Sequence, residues 1–156
     1  MGIALEYRAG SLPEGPECAD VLSLPSAVLE TTCFETWVRF AVDGIELLAY
    51  PGVSADWRRV PLLGFATILR DAVFSLGRTR TAHLSLSEGG LLRLDRTGDV
   101  VTLSSSLIPS PAMAAAAQLE AETVRFAREV CEVVRTVAPT ITDHPDWPRW
   151  SGGTRP

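Results

Sequence analysis

Residues 34–50, FETWVRFAVDGIELLAY, decide how this chain folds. Phe34, Thr36, Val38, Phe40 and Val42 alternate with Glu35, Trp37, Arg39 and Ala41. A period of two sends successive side chains to opposite faces of a strand. Asp43-Gly44 then separates two β-rich runs, and this pair favours the type I′ hairpin turn, in which both central residues have positive φ. The turn sets Val42 against Ile45, Phe40 against Leu47 and Val38 against Ala49 on an apolar face. The other face carries Trp37 opposite Tyr50, Arg39 opposite Leu48 and Ala41 opposite Glu46.

Beyond this hairpin, residues 51–59 read as a loop. Pro61 then suits the first turn of a helix. Leu62, Phe65, Ala66, Leu69, Val73 and Leu76 recur at helical spacing, and Gly77 is placed to end the helix. Residues 81–106, TAHLSLSEGGLLRLDRTGDVVTLSSS, predict a three-stranded meander turning at Glu88-Gly89-Gly90 and Thr97-Gly98. Pairing Arg96 with Asp99 puts Leu94 on Val101 and Leu92 on Leu103. The same register sets Leu86 and Leu84 beside Leu92 and Leu94, with His83 facing Asp95. Apolar residues then fill one face, while His83, Ser85, Arg93 and Asp95 share the other.

After Pro109 and Pro111, Ser110 caps a long helix over 113–137 with an apolar stripe from Ala116 to Val137. Before residue 34, Ile3–Arg8 alternates as an edge strand, 9–16 is a Gly/Pro loop, and 20–24 and 27–32 read as strand-like. The expected fold is α+β: one antiparallel sheet of five or six strands with two amphipathic helices on one face. Residues 1–138 form this single domain, and the Pro/Gly-rich tail 139–156 is expected to lack regular structure.

The composition restricts function. A hydrophobic fraction of 46% with 21% charged residues is that of a globular chain. No apolar run reaches the length of a membrane span, and residues 1–10 contain no apolar leader core, so the expected location is cytoplasmic. Residues 1–50 hold eight acidic side chains against Arg8 and Arg39, a balance of −6, while the remainder carries +1. An acidic half repels phosphate backbones, which argues against nucleic acid and suits a basic protein partner. The chain contains neither Lys nor Asn, the mark of a GC-rich genome.

The residues give no catalytic, cofactor or metal signature. Cys18, Cys33 and Cys131 are widely spaced, and His83 and His144 do not complete a ligand set. Asp143, His144 and Asp146 sit close together in the tail but read as solvated side chains. Ser85, His83 and Asp95 share a surface without a nucleophile elbow or an oxyanion hole, which argues for cross-strand pairing and against hydrolysis. The surface left over after the core is assigned combines Trp37, Arg39, Leu48 and Tyr50 with His83, Arg93 and Asp95. Tyr, Trp and Arg are interface anchors, so these seven residues form the candidate partner-binding surface.

Three stretches, FETWVRFAVDGIELLAYPGVS, VPLLGFATILRDAVFSLG and GGLLRLDRTGDVVTLSSS, followed by a closing helix, resemble small uncharacterised proteins of GC-rich, actinobacterial-type genomes, including immunity-type proteins of polymorphic toxin systems. The resemblance implies a cytosolic, acidic α+β protein that neutralises a toxin by occupying its active surface; it assigns no residue roles. The expected function is therefore a non-catalytic protein-binding module, an immunity- or antitoxin-like inhibitor. The alternatives are a homo-oligomeric scaffold and a small-ligand binder or enzyme with a pocket between helices and sheet.

Overall fold

The computed structural model describes residues 2–8, 10, 12, 20–52, 56–86 and 89–152. The expected loop over 9–16 falls mostly outside these residues, as do Cys18 and Glu88. The chain is α+β, with two four-stranded antiparallel sheets in place of the single sheet of five or six strands that the sequence suggested. No helix among the described residues is long and apolar enough to cross a membrane.

In the first sheet β2 (Glu35–Val42) is central. It pairs on one side with β1 (Ile3–Tyr7) and on the other with β3 (Ile45–Glu46) and β4 (Arg58–Pro61). The Asp43-Gly44 turn forms as expected, with φ of 50° and 80°. Its return strand lasts only two residues, however. Ala41 faces Glu46, but Trp37 lies across from Arg59, because β4 takes the place that the end of the return strand was expected to fill; on the opposite side of β2, Arg39 lies across from Glu6 of β1.

The second sheet runs in the order β5 (Thr81–Ser85), β6 (Leu91–Thr97), β7 (Val100–Ser105) and β8 (Ala112–Ala115). Both meander registers differ by two residues from the sequence reading: Leu94 pairs with Leu103 and Ala82, and Leu92 with Ser105 and Leu84. Gly98 and Asp99 become the central turn residues, with Gly98 at φ 61°. A slip of two preserves which side chains face inward, so the division into apolar and polar faces survives.

Strand β8 was read as the start of a helix. Alanine's helix preference amounts to tenths of a kcal/mol per residue. Pro111 favours an extended Ser110, and the ladder to β7 buries Ala112 and Ala114 while Met113 points outward.

Three helices and the tail complete the core. Helix α1 (Ser26–Thr31) replaces the strand expected over 27–32. Helix α2 (Leu62–Thr79) follows β4 directly and runs past Gly77, closing on Arg80 at φ 62°. Helix α3 (Ala116–Val137) buries its stripe from Ala116 to Val134, with Val137 left exposed. Helix α2 touches α1, α3 and strands of both sheets. Phe126 of α3 meets Tyr7 and Phe65 edge-on, with ring centroids 5.8 and 6.3 Å apart.

The tail is ordered where the sequence suggested no regular structure. A 3-10 helix, Pro139–Asp143, leads into α4 (Trp147–Trp150), and Trp150 is buried. Buried Arg70 donates from Nη1 to the Trp150 carbonyl at 2.9 Å and from Nη2 to the Arg149 carbonyl at 2.7 Å. The Trp150 indole and the Arg149 guanidinium both donate to Glu30 Oε1 at 2.7 Å.

Gly64 permits this arrangement. A Cβ there would lie 1.8 Å from the Glu30 carbonyl oxygen, so α1 rests directly on the α2 backbone. Gly64→Ala is expected to destabilise the protein by about 3 kcal/mol, because the obstruction is main chain and cannot rotate away. Urea unfolding measures the loss, and an unchanged midpoint would refute the contact.

Candidate functional site

The seven candidate residues divide between the two sheets, so they do not form one continuous strand surface. On the first sheet Arg39 is already engaged: its Nε and Nη2 donate to Glu46 Oε1 at 2.9 and 2.6 Å, and Nη1 lies 3.4 Å from Glu6. The guanidinium pKa is raised, first by the Glu46 hydrogen bonds. Trp37 is half-buried across from Arg59, which pairs with Glu35 at 3.2 Å. Half-buried Tyr50 lies under the Arg58 guanidinium, 5.3 Å from the ring centroid, and Arg58 Nη2 donates to the Gly89 carbonyl at 2.5 Å.

Leu48 is fully buried, which removes it from any surface. The chain turns inward after β3, a consequence of β4 displacing it from the ladder. Leu48→Ala is therefore expected to cost about 2–5 kcal/mol in denaturant unfolding, the penalty of a core truncation. A loss under about 0.5 kcal/mol would be a surface result and would contradict the placement.

On the second sheet the candidate residues remain open. The outward face presents Thr81, His83 and Ser85 from β5, then Leu91, Arg93 and Asp95 from β6. It continues with Val100, Thr102 and Ser104 from β7 and Met113 from β8. Arg93 Nε lies 2.7 Å from Asp95 Oδ2. Asp95 Oδ1 accepts from the Thr81 hydroxyl at 2.8 Å and from Arg93 Nη2 at 3.0 Å. These bonds, Arg93's foremost, hold the Asp95 carboxyl below its usual range. His83 lies opposite Arg93 and not opposite Asp95, a result of the two-residue slip. Asp95 commits its oxygens to Arg93 and Thr81, leaving the imidazole without an orienting carboxylate, so Ser85, His83 and Asp95 are not arranged as a triad.

Pattern reading overlooked the apolar members of this face. Met113 is 60% exposed, Val100 43% and Leu91 38%. Met113 lies in an Ala-rich segment whose composition favours helix over strand, whereas alternation alone puts Val100 on the outer face.

The remaining chemistry-bearing groups are structural. His144 is buried against Trp150; its Nε2 lies 3.0 Å from the Leu24 carbonyl, and its Nδ1 accepts the Asp146 N–H at 3.1 Å. That pattern assigns the proton to Nε2 and occupies both nitrogens. Among the described residues no three His, Cys, Asp or Glu side chains are grouped to hold a metal ion.

Cys131 is buried and donates to the Trp150 carbonyl at 3.3 Å. Burial pushes its thiol up to about 11 from 9.0. It should not react with thiol reagents at neutral pH until the protein unfolds. Because the folded pKa is the higher one, its contribution to stability is intact below pH 9.0 and is lost as the pH rises toward about 11. Rapid labelling of native Cys131 at neutral pH would contradict this burial.

Comparison with protein-family models, with curated proteins and with solved structures finds no match to this chain.

Proposed function

We propose that this chain is a non-catalytic protein-binding module that engages its partner through the outward face of the second sheet. The observation that carries the reading is that one sheet face exposes the large apolar side chains of Leu91, Val100 and Met113 together with the Arg93–Asp95 ion pair. Exposed apolar residues that share a sheet face with an arginine are of the types enriched at interfaces. Methionine adapts its shape to a partner, and a prepaired arginine can exchange its carboxylate for one on the incoming surface. Among the described residues no segment covers this face, which favours a macromolecular partner over a small molecule held in a cleft.

Arg39 and Tyr50 move to a supporting role, because Arg39 is held by Glu46 and Glu6 and Tyr50 lies under Arg58, while Trp37 is half-buried. Within the protein-binding class, a cytoplasmic immunity- or antitoxin-like inhibitor of a basic toxin is the reading favoured by the net charge of −5 and by the resemblance of residues 34–137.

The test is affinity capture from a lysate of the source organism with tagged wild-type protein and the double variant Val100→Asp, Met113→Asp. A stoichiometric partner is expected with the wild type and not with the variant. Unfolding free energies of the two proteins should agree within about 1 kcal/mol, as both positions are exposed. Equal capture by both proteins, or the bait alone in both, would overturn the proposal.

A further inference from the structure

The outer edges of the two sheets are not protected equally. On β1, Arg125 of α3 donates from Nη2 to the Leu5 carbonyl at 3.0 Å, and the Tyr7 hydroxyl reaches the Glu129 carbonyl at 3.5 Å. Strand β4 is four residues long and ends in Pro61, which has no N–H to offer. Strand β8 is equally short, runs straight into α3 and lies against β2. These are the usual ways of blunting an edge.

Among the described residues strand β5 is covered only at Thr81. The Arg96 N–H donates to the Arg80 carbonyl and the Leu86 N–H to the Gly90 carbonyl, which fixes the even-numbered residues as the ones bonded to β6. The main-chain groups of Thr81, His83 and Ser85 therefore point away from the sheet. The Thr81 carbonyl accepts the Thr79 hydroxyl at 3.0 Å. Among the described residues, His83 and Ser85 have no hydrogen-bond partner for their outward main-chain groups. Beside this edge an open groove is bounded by Ile68, Ala72 and Ser75 of α2, and Ile68 is 45% exposed. It continues past Leu84 as an apolar groove of about 300 Å³ against Val60 and Phe65.

We infer that β5 pairs antiparallel with β5 of a second copy of this chain, joining the two second sheets edge to edge. The strand is its own complement. A two-fold axis through His83 sets Thr81 against Ser85 and Ala82 against Leu84, and each outward-pointing residue meets an outward-pointing one. Residues 81–85, TAHLS, carry no formal charge with His neutral, so no like charges oppose each other along the contact. Hydroxyl residues meet on one face and apolar residues on the other, and the incoming strand covers the space beside Ile68. This contact uses the edge of the sheet and is independent of the reading of its open face.

Sedimentation equilibrium and light scattering of the full chain across micromolar to millimolar concentrations test the inference. The wild type is expected to dimerise reversibly, with slower amide exchange at His83 and Ser85 as concentration rises. His83→Pro removes one outward N–H while leaving the β6 ladder intact, and should weaken the dimer at least about tenfold. His83→Lys places two ammonium groups at the axis and should weaken it most at low salt, with partial recovery at high salt. The lysine variant carries the test if the proline variant fails to fold. A wild type that stays monomeric throughout, or a dimer that both variants leave intact, overturns the inference; the first would leave the edge for an extended segment of another protein.

Discussion

Helix α2 is buried by both sheets, by α3 and by α1, and that constraint governs the rest of the molecule. A helix covered on so many sides needs small or apolar residues almost all round, and α2 supplies them from Leu62 to Leu76. At Gly64 the requirement becomes absolute, since the Glu30 carbonyl occupies the space of a side chain. With α1 fixed there, the Glu30 carboxylate is positioned to receive Arg149 and Trp150, and Arg70 completes the attachment from α2 itself. One glycine thus connects the packing of a short helix to the docking of a segment about 120 residues further along.

The same constraint explains where free surface remains. The inward-facing apolar residues of the strands pack against α2 and α3, so each sheet turns one face outward. The first sheet fills that face with ion pairs: Arg39 is held by Glu46 and Glu6, and Arg59 pairs with Glu35. Exposed pairs of this kind add little stability, but they occupy the polar groups that a partner would otherwise meet. The outward face of the second sheet has one such pair, Arg93–Asp95, flanked by His83, Ser104, Thr81 and Thr102, and exposes Leu91, Val100 and Met113 elsewhere on the same face. Two sheets of equal strand number thus differ in the surface chemistry of their outward faces.

Edges follow a related logic. A strand edge can be protected by a helix, a proline or brevity, and β1, β3, β4 and β8 each use one of these. Strand β5 is flanked instead by a groove along α2. Among the described residues the outward main-chain groups of His83 and Ser85 have no hydrogen-bond partner, and residues 81–85 carry no formal charge with His neutral.

Periodicity alone determined the α+β class, the apolar and polar faces of β2, β5, β6 and β7, the Asp43-Gly44 turn, and the inward stripes of α2 and α3. Those features depend on side-chain alternation at 2 or 3.6 residues and on turn conformations that few residues adopt, all of which are local. It also placed His83, Arg93 and Asp95 on an outward face, because parity survives a slip of two. Tertiary structure decided the rest. It split the strands into two sheets and moved His83 from Asp95 to Arg93. It also converted 112–115 to a strand and 26–31 to a helix, buried Leu48, and docked the tail through Trp150. Each of these turned on a partner distant in the chain, while the competing local preferences differed by only tenths of a kcal/mol per residue, too little to prevail over a hydrogen-bonded ladder or a buried aromatic ring.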